Sequence, residues 1–329
     1  MIHADARRTA LERWLATHLG TNFGASRFTL TPASEDASFR RYFRVQLEDG
    51  RTAIAMDAPP HKEDCRPFVR VAHMLRGAGL NAPEVLAQDL SQGFLLLSDL
   101  GTRTYLQGLG AQNAAQLFGD ATDALVRWQL ATRAGELPPY DEALLRREMN
   151  LFPEWYVTRH RGIELSAQHK DSLETIFQLL VRSALAQPAV YVHRDYMPRN
   201  LMVCEPNPGV LDFQDAVIGP ITYDAVSLFR DAFVSWEEAQ VLDWSVRYWE
   251  KAKRAGLPVE QDYAEFWRAF EWMGLQRHLK VLGIFARIGY RDGKPGYLED
   301  TPRFIAYARS VAGRYSALAP LLRLLDVLE

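Results

Sequence analysis

From Arg41 to Leu47 the chain alternates, with Phe43, Val45 and Leu47 on one side and Tyr42, Arg44 and Gln46 on the other, the period of a half-buried strand. The turn Glu48-Asp49-Gly50 leads into a second run, Thr52–Asp57, which predicts a hairpin. Phe28–Leu30 reads as a preceding strand, and Thr9–Leu19 as a short amphipathic helix. Phe68, Val71, Ala72 and Leu75 then recur at helical spacing, and Gly77 and Gly79 mark where that helix ends. Two more strands, Glu84–Gln88 and Phe94–Ser98, flank the turn Ser91-Gln92-Gly93. From Leu106 the spacing becomes helical, as in Leu117, Ala121 and Leu125, and in Leu173, Ile176, Phe177, Leu180 and Ala184. The pattern predicts an α+β, bilobal chain: a small five-stranded antiparallel lobe with one helix over residues 1–98, a hinge at 99–103 and a helical lobe over 104–329.

One stretch interrupts the helical half with chemistry. Leu201-Met202-Val203-Cys204 and Val210-Leu211 are short apolar runs around the turn Glu205-Pro206-Asn207-Pro208-Gly209. If they pair antiparallel, Asn200 and Asp212 lie roughly 5 Å apart, the spacing of paired strands. Two oxygen ligands at that separation suit Mg²⁺, which takes one or two protein oxygens and fills its shell with water and phosphate. Asp195 precedes Asn200 in the same loop, placed to accept the proton of an attacking hydroxyl. Each residue alone is an ordinary turn former. In register, His193-Arg194-Asp195, Asn200 and Asp212-Phe213-Gln214-Asp215 read as the catalytic loop and metal loop of a kinase-like phosphotransferase.

That reading assigns roles. Asp195 is the expected base, Asn200 and Asp212 the metal ligands, and Arg199 a guanidinium able to neutralise the transferring phosphoryl group. Asp215 is placed to reach the metal or a substrate hydroxyl, or to cap a turn. His193 and Asp224 are read as braces of the catalytic loop. Phe94–Leu97, just before the hinge, offers apolar surface for a flat base, and the backbone around Asp99 a grip for its edge.

Composition narrows the partners. The chain has 329 residues, 48% hydrophobic and 24% charged, with a net charge of −3, so it carries no basic excess for nucleic acid. Cys65 and Cys204 lie far apart, without the spacing of a disulfide framework or a zinc site. No stretch reaches the ~18 apolar residues of a membrane span. A cytoplasmic protein is expected, its charge compatible with a small anionic cofactor, with no membrane association and no obligate protein partner.

Val192–Asn200 resembles the catalytic loop of the aminoglycoside-phosphotransferase/choline-kinase superfamily, and Gly219-Pro220-Ile221-Thr222-Tyr223-Asp224 resembles its segment after the metal loop. Tyr191–Asn200, Leu211–Ala216, Met56-Asp57-Ala58-Pro59-Pro60 and Phe152-Pro153-Glu154-Trp155-Tyr156 are similar to the bacterial N-acetylmuramate/N-acetylglucosamine anomeric kinases of cell-wall recycling. The resemblance runs from about Ser34 to the helices near Gln276. It implies a protein-kinase-like fold, ATP and Mg²⁺, and transfer of the γ-phosphate to the anomeric hydroxyl of either amino sugar. The acceptor rests on the resemblance alone. Rival readings are phosphorylation of an aminoglycoside, choline or homoserine, or a pseudokinase that binds nucleotide without turnover.

The amino-terminal half departs from the usual kinase pattern. Met56 stands where V-A-I-K would put its lysine, and no glutamate lies on the helical stripe Phe68–Arg76 to pair with one. The phosphate-covering turn Ser34–Phe39 has no glycine. Ser34 and Ser38 are the candidate replacements, with Arg40, Arg41 or Arg44 as cation; Arg41 faces opposite to the other two, so they cannot all contribute. Ser34, Ser38, Arg41, Leu97 and Asp99 are the expected nucleotide contacts. For the acceptor, Glu148, Glu154 and Trp155, with Tyr156 and Arg159, combine carboxylates with aromatic faces, as a sugar ring requires. Gln276, Arg277, His278 and Lys280 form a second polar cluster, suited to an acidic substituent.

Overall fold

Strand alternation and turn chemistry produce a five-stranded antiparallel sheet in the order β1-β2-β3-β5-β4. The structure, a computed structural model, describes residues 6–25, 27–34 and 39–328. The chain divides into two units, Met1–Thr104 with Met202–Asp215, and Tyr105–Leu201 with Ala216–Glu329. The first contains α1 (Ala6–Phe23), β1 (Phe28–Ser34), β2 (Arg41–Leu47), β3 (Thr52–Asp57), α2 (Arg66–Gly77), β4 (Val85–Asp89) and β5 (Phe94–Ser98).

The two faces of this sheet have different fates. Phe43, Val45 and Leu47 of β2, Ala53 and Ala55 of β3, and Phe94 and Leu96 of β5 pack with Leu11, Trp14, Leu15 and Leu19 of α1. Burying each of those leucines contributes about 1.5–3 kcal/mol, which fixes α1 on that face. The strand registers Tyr42↔Met56, Arg44↔Ile54, Ile54↔Leu97 and Met56↔Leu95 put these residues together on the other face. Pro67 starts α2, whose buried stripe is Phe68, Val71, Ala72 and Leu75 as the spacing predicts. Gly79, at φ +78°, supplies the left-handed turn that ends it, its N–H bonding the carbonyl of Arg76.

The second unit is built from helices α3 (Tyr105–Gly108), α4 (Ala114–Leu130), α5 (Glu142–Met149) and α6 (Ala167–Ala186), with β6 (Ala189–Val192) following. Next along the chain come β7 (Leu201–Met202), β8 (Gly209–Val210) and β9 (Val217–Pro220), then α7 (Tyr223–Phe229), α8 (Glu238–Arg254), α9 (Tyr263–Arg291), α10 (Thr301–Arg314) and α11 (Ala319–Val327). β6 and β9 pair antiparallel from Ala189↔Pro220 to Val192↔Val217. The short hairpin β7–β8 forms where the apolar runs predict it. Most of it groups with the first unit, whereas the sequence reading set it within 104–329. The cause is backbone pairing: Val203 N–H bonds Arg103, Val210 N–H bonds Asn81, and the Asn81 side chain donates to the Pro206 carbonyl at 2.7 Å. Among the described residues no helix is long and apolar enough to cross a membrane.

Candidate active site

β6 delivers His193, Arg194 and Asp195 into a turn that a buried carboxylate holds. Asp224, in the first turn of α7, accepts the main-chain N–H of His193 at 2.6 Å and of Arg194 at 3.0 Å. Arg194 has a φ of +76°, a left-handed conformation that costs a non-glycine residue roughly 1–3 kcal/mol and persists only where surroundings enforce it. Burial pushes the Asp224 carboxyl up to about 7, against the pull of its two N–H donors. Asp195 follows, half-buried, and the Asn200 side-chain N–H donates to its carbonyl at 2.9 Å, closing the loop.

Around Arg194 the structure builds a charged hub that sequence reasoning missed. The Arg194 guanidinium and the Tyr140 hydroxyl both donate to the buried carboxylate of Glu148. Lys280 of α9 lies 3.2 Å from the same carboxylate and donates to the Tyr223 hydroxyl at 3.0 Å. Burial opposes the Glu148 charge, but Lys280 and Arg194 outweigh it and hold its pKa below the ordinary glutamate value. Burial likewise opposes the Lys280 charge, and Tyr223, Glu148 and Asp195 together raise its pKa. Two cations thus face one carboxylate, leaving a net positive charge beside Asp195. Glu148, expected at the acceptor, bonds Arg194 of the loop that follows β6. The polar cluster on α9 is divided in the same way: Arg277 points Nη2 at the Met197 sulfur, 3.8 Å away, while His278 stacks on Tyr307 and burial pushes its pKa well down.

Arg199 lies with its guanidinium carbon 5.0 Å from the centre of the Phe233 ring. The backbone of Phe233 is held by Asp231, which accepts the N–H groups of Phe233 and Val234 at 2.8 and 3.1 Å. Of the expected acceptor residues, Glu154 is exposed and Trp155 half-buried on a π-helical stretch, Phe152–His160, whose Phe152 and Tyr156 rings stack inward. π-helical turns are uncommon and concentrate at functional positions. α9 approaches this stretch so closely that a Cβ on Gly283 would lie 2.3 Å from the Leu151 carbonyl carbon, so only glycine fits there.

In the first unit, Asp212 follows β8 with a φ of +61°, the other left-handed non-glycine residue among those described. Gln214 donates to its Oδ1 at 3.0 Å, and Phe213 packs on Phe68 of α2 with centroids 4.8 Å apart. Asp215 is exposed. Asn200 carries a carboxamide and Asp212 a carboxylate, each an oxygen donor of the kind a hard cation such as Mg²⁺ takes.

The expected nucleotide contacts separate by face. Leu97 is buried on the face away from α1, beside Ile54. Asp99 holds Arg44 at 2.7 and 3.1 Å and accepts the Gly101 N–H at 2.9 Å, which shapes the turn after β5. Arg41 is directed to the α1 side, where it bonds Asp57 at 3.0 Å together with Arg7 of α1. Ser34 ends β1; its side chain and all of Ser38 lie outside the described residues.

Residues 29–266 match the sequence profile of the Phosphotransferase enzyme family. The chain belongs to that family. A Pseudomonas aeruginosa protein named N-acetylmuramate/N-acetylglucosamine kinase is 56% identical over 327 residues, 98% of this chain and 96% of its own. A protein of the same name from Pseudomonas putida is 54% identical over 331 residues, 99% of this chain and 97% of its own. Among solved structures, a choline/ethanolamine kinase family protein from Mesorhizobium loti shares the fold at a TM-score of 0.61 and 14% identity, over 97% of this chain and 99% of that one. The α+β, kinase-like architecture implied by the sequence is therefore the observed one, and residues 193–200 lie between β6 and β7.

Proposed function

We propose that this phosphotransferase transfers the γ-phosphoryl group of ATP to the anomeric hydroxyl of N-acetylmuramate and N-acetylglucosamine, giving the sugar 1-phosphates in cell-wall recycling. The observation that carries the reading is 56% identity, over 98% of the chain, to a kinase named for those two sugars. The intact set Asp195, Asn200 and Asp212 supports turnover rather than nucleotide binding alone.

In this reading the Asp195 carboxylate accepts the proton of the sugar hydroxyl as its oxygen bonds to phosphorus and the bond to the β-phosphate oxygen breaks. An anomeric hydroxyl suits a carboxylate base, because the ring oxygen makes it more acidic than an ordinary alcohol. Arg194, tied to Glu148, holds the loop, and Arg199 neutralises charge on the transferring group. Asn200 and Asp212 would hold Mg²⁺, which supplies charge neutralisation on the phosphates when bound. Glu154, Trp155 and Asp215 are the proposed sugar contacts. The setting is cytoplasmic.

Incubation with MgATP and a panel of amino sugars, aminoglycosides, choline and homoserine tests the acceptor class. ADP release is expected with the two N-acetyl amino sugars and at least about 100-fold slower with the other alcohols, a discrimination in reach of polar recognition. Equal or faster turnover of an amino alcohol contradicts the assignment.

A further inference from the structure

The kinase lysine is absent at Met56, yet the first unit contains a part-buried ion pair between the residue that precedes β2 and the turn that follows β3. Arg40, one residue before β2, bonds Glu63 with Nη2 to Oε2 at 3.2 Å, and the two side chains are only 13% and 18% exposed. Tyr42 lies directly across from Met56 in the β2–β3 register, on the face away from α1. Arg40 is two residues before Tyr42, so the alternation continues to the same face, one step nearer the β1–β2 turn. Burial works against the Arg40 charge, but Tyr42 and Glu63 outweigh it and raise its pKa. Glu63 is held in turn, its N–H bonding the Pro59 carbonyl at 3.0 Å just before α2 begins.

The other arginines considered for this task are committed elsewhere. Arg41 joins Asp57 on the α1 face, and Arg44 is bound bidentately by Asp99 just after β5. Arg40 is the one whose partner sits between β3 and α2, where the Lys–Glu pair of kinases joins strand to helix. The geometry points to Arg40, oriented by Glu63, as the phosphate-binding cation of this enzyme, taking over from the missing β3 lysine. A guanidinium presents its N–H donors in one fixed plane, a geometry that matches two phosphate oxygens.

This inference rests on the ATP-dependent reading above, and nucleotide titrations without sugar separate the two. Calorimetric Kd values for ATP, ADP and adenosine are measured on the wild-type chain and on Arg40→Ala, Arg40→Lys, Glu63→Gln and the double variant. Arg40→Ala is expected to weaken ATP by about 10- to 100-fold, the range of a charged hydrogen bond. ADP weakens less, and adenosine stays within about twofold because it has no phosphate to lose. Arg40→Lys recovers part of the loss. Glu63→Gln weakens ATP about 2- to 10-fold alone and has no further effect once Arg40 is alanine, as a residue acting through Arg40 must. An Arg40→Ala protein that binds ATP within twofold of wild type overturns the inference. So does a parallel loss of adenosine binding, which marks a disturbed fold. A wild-type chain that binds no ATP overturns the functional reading as well, whereas a chain that binds ATP normally yet phosphorylates no amino sugar leaves only the acceptor assignment refuted.

Discussion

Asp195→Asn lowers kcat for amino-sugar phosphorylation by about 10²- to 10⁴-fold, the contribution of a positioned general base. The substitution keeps the shape of the side chain and removes only its capacity to take a proton. The turn around it persists, because its supports are main-chain bonds to Asp224 and the Asn200 contact to the residue 195 carbonyl, none of which uses the Asp195 carboxylate. ATP affinity therefore changes little while kcat collapses, a split that steady-state kinetics over both substrates reads directly. A variant that keeps more than about a tenth of wild-type kcat contradicts the role.

Glu148→Ala destabilises the protein by about 3–5 kcal/mol, because it leaves Arg194 and Lys280 in the interior without the carboxylate that compensates them. Thermal unfolding is expected to show this as a drop in Tm of ~10 °C. Replacement of both partners is milder: Glu148→Gln with Lys280→Met removes one charge of each sign, and the pair loses less than the sum of the singles. The effect also depends on pH with a defined sign. The Glu148 pKa is depressed in the folded protein, so its stabilisation is fully present above the ordinary glutamate pKa and is lost as pH falls through the lower folded value. The Tm difference between wild type and Glu148→Gln should shrink on that acid side. A constant difference across the range would show that the ion pairs contribute nothing.

Much of this protein is legible in the chain because its signals are local. Alternation in β2 and β3, the glycines after α2 and the turn between Cys204 and Val210 each act within a few residues, and the catalytic motif is one continuous stretch. The long-range pairings carried no such mark. Glu148 stood out beside the aromatic stretch that follows it, but its partner Arg194 is 46 residues away and only the fold brings them together. Alternation told that Arg40 and Arg41 face opposite ways; which of them meets α1 became clear only from where Leu11, Trp14, Leu15 and Leu19 pack. The π-helical form of Phe152–His160 has no signature in its composition, and the close approach of α9 to Leu151 at Gly283 joins positions far apart in the chain. The left-handed residues Arg194 and Asp212 were likewise invisible as strain, yet both fall inside the two motifs that the sequence singled out.

The product of the reaction with N-acetylmuramate tests the central claim most directly. Phosphorus and proton NMR of the isolated product should show one phosphate on the anomeric carbon, formed one for one with ADP and with complete loss of the reducing end. A phosphorylated sugar that retains its reducing end, or ADP formation without any sugar phosphate, would contradict it.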